Sequence, residues 1–248
     1  MAGTLRIGAC QTPELLADVP GALAVVERFA AEADAAAVDL LVFPECFLQG
    51  YLCTPEYLER HAVELDSVSF REVLGRLAGV RQVLVLGVIE RDGGRVFNSA
   101  VVIRAGEVLG VYRKTSLTLG ERAFTAGDRF PVFEANGVRF GMNICYDTRF
   151  TASARAVADQ GGRVLLVLSQ NMMRREAAEF WRPMHNAIRA QRARETGMWL
   201  VSADVTGRRG EERIGYGPTS VISPAGVVVA QVPASTVGMV TAEIAAPG

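Results

Sequence analysis

The chain reads as an α/β layered fold in which sheets pack face to face with helices outside. Three observations lead there: apolar runs of strand length recur along the 248 residues, helix-compatible stretches interleave with several of them, and one pair is joined by a hairpin. Strands are predicted over residues 5–10, 40–43, 83–89, 97–103, 138–145, 164–169, 198–205 and 219–223, the last before a Pro224-Ala225-Gly226 turn. Helices are predicted over 20–37, 67–77, 151–160 and 175–195. The first contains Ala30-Ala31-Glu32-Ala33-Asp34-Ala35-Ala36-Ala37, small residues that suit a closely packed helix. Within the last, Pro183 marks a helix start or a kink, because it removes a backbone donor. Between 83–89 and 97–103 lies Glu90-Arg91-Asp92-Gly93-Gly94-Arg95, whose Asp-Gly-Gly favours a tight antiparallel turn. Hairpin and crossover connections are therefore mixed, which argues against a closed barrel of repeated strand-helix units. Half of the residues are hydrophobic and no linker, repeat or low-complexity tract divides the chain, so residues 1–248 are expected to form a single domain.

Composition excludes several functions. The net charge is −1, with Lys and Arg scattered among acids, which disfavours a nucleic-acid partner. No apolar run approaches the ~20 residues that span a bilayer and the N-terminus lacks a signal-peptide core, so no membrane partner and a cytoplasmic location are expected. Four cysteines without framework spacing fit reduced thiols. With no Cys-x-x-Cys pair and two histidines, His61 and His185, outside any zinc-ligand spacing, no metal site is expected.

Cys145 is the most informative residue. It ends the run Val138-Arg139-Phe140-Gly141-Met142-Asn143-Ile144-Cys145, in which alternation puts Val138, Phe140, Met142 and Ile144 on one apolar face. The thiol falls on the other face, with Arg139 and Asn143, just before a helix-compatible stretch whose N-terminus favours a thiolate. Cys10, Cys46 and Cys53 read as small packing residues. Two more polar residues end apolar strand-like runs: Glu45 in Leu40-Leu41-Val42-Phe43-Pro44-Glu45, and Lys114 in Val108-Leu109-Gly110-Val111-Tyr112-Arg113-Lys114. Active sites of α/β sheets gather at that carboxyl edge. Together the three can do acyl chemistry, the carboxylate taking the thiol proton while the ammonium favours the thiolate and the oxyanion formed on attack. Glu45 needs partial burial to raise its pKa toward neutrality, while Lys114 pulls the other way.

The segments Phe43-Pro44-Glu45, Tyr112-Arg113-Lys114 and Gly141-Met142-Asn143-Ile144-Cys145-Tyr146-Asp147 resemble, in order and spacing, the three catalytic blocks of the nitrilase (carbon-nitrogen hydrolase) superfamily. The resemblance extends to Gly50-Tyr51, to Arg192-Ala193-Arg194-Glu195 and to residues 220–226, and so covers nearly the whole chain. It implies a four-layer α-β-β-α sandwich with mixed sheets, a homodimer or larger homo-oligomer, and no cofactor. It implies further that Glu45 is general base and acid, Lys114 electrostatic stabiliser and Cys145 nucleophile. Glu121, in a matching Glu-x-x-Phe-x-x-Gly, would position substrate or Lys114. The implied chemistry is attack on an amide carbon, an oxyanion held by Lys114 and the Tyr146 N–H, a thioester, and its hydrolysis by water.

Two departures from the family pattern stand out. Thr151 and Ala152 replace the usual Pro and Glu after Arg149-Phe150, so Thr151 or Ser153 is expected to cap the helix, and Thr115-Ser116-Leu117 lacks the histidine that often precedes the leucine. Tyr146-Asp147 after the cysteine is similar to the amidase and carbamoylase branches, whereas nitrilases place Trp-Glu there. The expected substrate is a small linear amide, with an N-carbamoyl compound or a nitrile as alternatives. Tyr51, Tyr146, Gln170 and Asn171 are candidate substrate contacts, and Asp147 is expected to pair with Arg149 or another arginine. Arg174 and Arg175 either grip a substrate carboxylate or form a solvated helix start. A catalytically silent binding protein on the same fold, and a hydrolase pairing Cys145 with His61 or His185, are the competing readings. The helix around His185 is the expected oligomer contact.

Overall fold

The structure, a computed structural model, describes residues 3–246. Its strands are β1 (Thr4–Pro13), β2 (Leu40–Val42), β3 (Val83–Asp92), β4 (Arg95–Arg104), β5 (Glu107–Arg113), β6 (Val132–Ala135), β7 (Val138–Ile144), β8 (Val164–Leu168), β9 (Met173–Arg174), β10 (Trp199–Arg209), β11 (Arg213–Tyr216), β12 (Ser220–Ile222), β13 (Val228–Gln231) and β14 (Gly238–Ala245). The α-helices are α1 (Val19–Ala35), α2 (Pro55–His61), α3 (Val68–Leu77), α4 (Thr151–Ala158), α5 (Arg175–Trp181) and α6 (Met184–Thr196).

The strands hydrogen-bond in the order β5-β4-β3-β2-β1-β10-β8-β7-β6. Pairing is parallel from β3 through β2, β1, β10 and β8 to β7, and antiparallel at the β3–β4, β4–β5 and β6–β7 hairpins. Strand β10 changes partner along its length: residues 199–203 pair with β8, and residues 204–206 pair with β1. One mixed ladder thereby curls into two facing halves.

Side-chain parity then defines the layers. Leu5, Ile7 and Ala9 of β1 and Leu40 and Val42 of β2 meet Met142 and Ile144 of β7 and Leu166 and Leu168 of β8 between the halves. The intervening Leu41 faces outward against Val26 and Phe29 of α1 and Phe70 and Leu77 of α3. On the other side Leu165 and Val167 face Ala154 and Val157 of α4 and Ala190 and Ala193 of α6. This is the α-β-β-α sandwich, and its strands are apolar on both faces because both are covered. Each of the larger ones (Leu, Ile, Val, Phe, Met) contributes about 1.5–3 kcal/mol relative to exposure.

Helix α1 stops at Ala35, and Ala37 turns the chain at φ 51°. The helix expected over 175–195 is two helices, α5 and α6, parted at Arg182-Pro183. Among the described residues no side chain caps α4, so neither Thr151 nor Ser153 serves as its cap. Strand β14 runs antiparallel to β1 from Thr4 opposite Ala245 to Gln11 opposite Gly238.

The β3–β2 crossing holds one close approach. A Cβ on Gly87 would fall 2.5 Å from Cys46 N and 2.8 Å from the Glu45 carbonyl carbon. Gly87→Ala is therefore expected to cost about 1–3 kcal/mol through overpacking, whereas Gly75→Ala, inside α3 with nothing within 4 Å, should stabilise by roughly 0.5–1 kcal/mol. Urea denaturation of the two variants checks both signs.

Candidate active site

Strand β2 ends because Pro44 has no N–H to extend the ladder. Phe43 N still donates to Val85 O at 2.9 Å, and Glu45 N donates across to Ser169 O, past the end of β8, at 3.3 Å. Glu45 thus sits where the two halves of the sandwich meet, 1% exposed. Beyond the end of β5, Lys114 N donates to Asn98 O at 2.8 Å, which turns the lysine inward beside it. A short 3-10 turn, Leu119–Glu121, delivers Glu121, whose Oε2 accepts from Thr118 N at 2.8 Å.

The Lys114 ammonium lies between the two carboxylates, its Nζ 2.7 Å from Glu45 Oε1 and 2.6 Å from Glu121 Oε1. Asn98 Nδ2 donates to the same two oxygens at 2.7 and 3.2 Å. Its Oδ1 accepts from Cys46 Sγ at 3.4 Å, which fixes the direction of the amide. Among the described residues no side chain or backbone group donates to Glu45 Oε2, so this oxygen is open to a further proton.

Burial raises the Glu45 pKa to about 7, against Lys114 and Asn98 and with help from the Glu121 charge. Burial opposes the charge of Lys114, but Glu45, Cys145 and Glu121 outweigh it and keep the ammonium. Burial likewise works against the Glu121 carboxylate, and Lys114 with the Thr118 donors holds it below the usual range.

Cys145 begins a 3-10 turn, Cys145–Arg149, with φ at 42°, a left-handed conformation unusual for a residue with a side chain. The turn is tied from both ends: Thr148 Oγ1 donates to Cys145 O at 2.7 Å, and Ile144 N donates to Asp147 Oδ2 at 2.9 Å. Asp147 also accepts from Tyr112 Oη at 2.7 Å, Ser116 N at 2.7 Å and Thr115 Oγ1 at 3.0 Å. Among the described residues it makes no ion pair with an arginine, contrary to the sequence expectation; a buried carboxylate is satisfied here by neutral donors from three segments. The half-buried thiol lines a cavity of about 260 Å³. Burial and the Glu45 charge push its pKa up, against Lys114, so the resting group is a thiol and not the thiolate that the neighbouring helix suggested.

The remaining candidates divide. Tyr146 and Asn171 line the Cys145 cavity. Tyr51 and Gln170 line a separate, smaller space that Glu45 also lines, where Gln170 Nε2 donates to Glu14. Arg174 and Arg175 are exposed at the start of α5 and are not part of the cavity wall. Among the described residues no hydrogen bond joins Cys145 to a histidine, and His61 packs on Tyr57 with ring centroids 4.3 Å apart. His185 does line the cavity, with a pKa lowered to about 3 by burial and by Arg189.

Several site residues escaped sequence reasoning. Asn98 lies inside an apolar strand and carries no cue of its own, yet a polar residue buried there needs partners. Arg189 is 3% exposed and lines the cavity, donating to Ser169 Oγ at 2.9 Å, Ser202 Oγ at 3.1 Å and Pro218 O at 2.7 Å, with Asp204 Oδ2 at 3.4 Å. The usable signal was helical spacing, since His185, Ile188, Arg189 and Arg192 share one face of α6.

A sandwich of this topology with a buried Glu-Lys-Glu cluster beside a cysteine turn fits the class of protein that the sequence resemblance implies, a hydrolase of carbon-nitrogen bonds. The chain belongs to the carbon-nitrogen hydrolase family, whose model matches residues 6–247. It is 32% identical to an (R)-stereoselective amidase of a Pseudomonas species over 77% of this chain and 68% of the relative. It is 35% identical to a hydrolase encoded in the pqqF 5′ region of Pseudomonas protegens, over 92% of this chain and 78% of the relative. An amidase from Nesterenkonia sp. superposes with a TM-score of 0.84 at 25% identity, covering 99% of this chain and 92% of that one.

Asp147→Ala strands buried donors from β5, from the following loop and from Ile144, at a cost on the order of 2–4 kcal/mol. Asp147→Asn keeps one acceptor and should lose less. Urea midpoints of the two variants check the order; equal midpoints would show that the donors find other partners.

Proposed function

We propose that the chain hydrolyses a small linear amide, with Cys145 as nucleophile, Glu45 as general base and acid, Lys114 as electrostatic stabiliser and Glu121 as the residue that holds Lys114 in place. The observation that carries this reading is the pairing of a neutral, cavity-lining thiol with a buried carboxylate whose second oxygen is unengaged and whose pKa is raised to about 7. A base of that pKa is matched to proton transfer near neutrality. The acrylamide adduct at the active-site cysteine of a Nesterenkonia amidase variant, 26% identical with a TM-score of 0.81, supports the choice of nucleophile.

In this mechanism Cys145 Sγ bonds to the amide carbon while its proton passes to Glu45. The carbonyl π electrons move to oxygen, where Lys114 and the Tyr146 N–H meet the developing charge. The tetrahedral intermediate collapses, the carbon–nitrogen bond breaks, and Glu45 returns its proton to the departing nitrogen. A thioester remains. Water attacks it as Glu45 takes a second proton, and the acid leaves as the proton goes back to Cys145. Thiol and carboxyl are both regenerated.

The same reading takes residues 1–248 as one domain acting in the cytoplasm as a homo-oligomer without a cofactor. Exposed apolar side chains, Phe180 of α5 and Phe150 before α4 among them, support self-association.

Ammonia release from small amides should vanish in Cys145→Ala, and Glu45→Gln should lower it by about 10²–10⁴-fold. Turnover undiminished in Cys145→Ala removes the thioester route. Because Glu45 must be ionised to accept the thiol proton and its pKa is raised, kcat/KM should fall as pH drops through about 7. A profile flat down to pH near 5, below the raised value, would rule Glu45 out as the base.

A further inference from the structure

We propose that the cavity in front of Cys145 selects amides whose acyl group is uncharged and aromatic or branched, with Trp181 as the wall that recognises it. This rests on the amidase reading and goes further, because it names the acyl class. Three observations converge on it.

The first is size. The cavity measures about 260 Å³, and about 150 Å³ of apolar space accommodates a benzene ring. A one-carbon acyl group would leave the greater part of it to water held against apolar walls. The second is the wall itself, built from Trp181, Met173 and Ile188, with His185 beside Trp181 at 6.5 Å between ring centroids. His185 is neutral near pH 7, so it adds an aromatic edge and no charge.

The third is where the cations are committed. Arg189 meets Asp204, and its two terminal nitrogens donate to Ser169, Ser202 and Pro218. Its charge is balanced within the fold. Arg149 lies over the Trp181 ring, 4.9 Å from the centroid, which backs the indole and holds its plane. The two arginines that the sequence offered for a substrate carboxylate, Arg174 and Arg175, stand outside the cavity, which leaves Arg149 and Arg189 as the arginines of its wall. An apolar acyl group therefore gains burial here, while a carboxylate would have to compete with Asp204 or draw Arg149 off its ring. The acyl side is chosen over the amine because the acyl group stays on Cys145 through the thioester stage, within this cavity.

Ammonia or amine release from acetamide, isobutyramide, phenylacetamide, acetanilide, succinamate and N-carbamoylglycine tests the assignment. Phenylacetamide and isobutyramide should each exceed acetamide in kcat/KM, phenylacetamide at least tenfold, an advantage of the size one or two buried methylenes confer. In Trp181→Ala the phenylacetamide-to-acetamide ratio should fall at least tenfold, chiefly through KM, and Trp181→Phe should restore most of it. A preference for succinamate or N-carbamoylglycine, a preference for acetanilide over phenylacetamide, or a ratio unmoved by Trp181→Ala overturns the proposal. Calorimetric titration of Cys145→Ala with phenylacetamide and acetamide separates the two levels of inference. Selective binding of phenylacetamide without turnover of any amide by the unaltered enzyme would sink the hydrolase reading alone. Turnover without selectivity would sink the aromatic-acyl assignment alone.

Discussion

The buried ammonium of Lys114 is the constraint around which the site is organised. It is 1% exposed and sits between Glu45 and Glu121, which are 1% and 0% exposed. Moving one cation and two carboxylates out of water is expensive, and their attraction offsets that cost only when the geometry is close and the leftover polar atoms are satisfied. Asn98 meets that demand by donating to both carboxylates, and the Thr118 backbone meets it at the far oxygen of Glu121. A cluster of this kind is weak evidence for stability, since apolar residues of equal volume would do as well. Its presence at the end of an apolar strand is better explained by what it does to Glu45. Two negative groups share one positive group, so burial wins on Glu45 and leaves it near pH 7, while Glu121, with more donors, stays ionised.

That division of roles depends on backbone geometry at some distance. Glu45 reaches the cluster because Pro44 ends β2 and the next turn rests against Gly87, where a Cβ would leave no room. Cys145 reaches it because Asp147 gathers donors from β5, from the loop after Lys114 and from the end of β7. Asp147 thus binds the lysine's strand to the cysteine's turn. The positive φ at Cys145 is held by this closure, and strain of that kind persists only where the surroundings over-determine it.

Much of this was legible in the sequence, and the reasons differ by element. Strands such as Leu40–Val42 and Val164–Leu168 are buried on both faces, so they read as continuous apolar runs. Strand β14 was not legible: in Gly238-Met239-Val240-Thr241-Ala242-Glu243-Ile244-Ala245 most side chains are half-buried and the alternation is blurred. Helix α2 does carry a cue in Thr54 before Pro55, since the Thr54 side chain accepts from Tyr57 N. In the site, Glu45, Lys114 and Cys145 were visible because each interrupts an apolar run at its end. Asn98, Arg189 and Asp204 were not, because a buried polar residue within an element looks like any solvent-facing one until its partners are known. The ion pair expected at Asp147 failed for a related reason: sequence shows which arginines are near in number, but not which neutral donors the fold brings nearer in space.

The resting state of the cysteine ties these levels together. Position at the start of a helical turn and proximity to an ammonium both argue for a thiolate, and in water they would prevail. Here the thiol is largely surrounded by protein, and the carboxylate lies close enough for its charge to act against a second anion, so burial and Glu45 outweigh Lys114. A neutral thiol beside a carboxylate of pKa about 7 is the arrangement in which proton transfer accompanies attack. In the mechanism proposed above, separated charge appears only as the oxyanion forms, next to an ammonium already in place. The carboxylates that make Lys114 costly to bury also keep it charged, so the stabilising group requires no reorganisation when the negative charge develops.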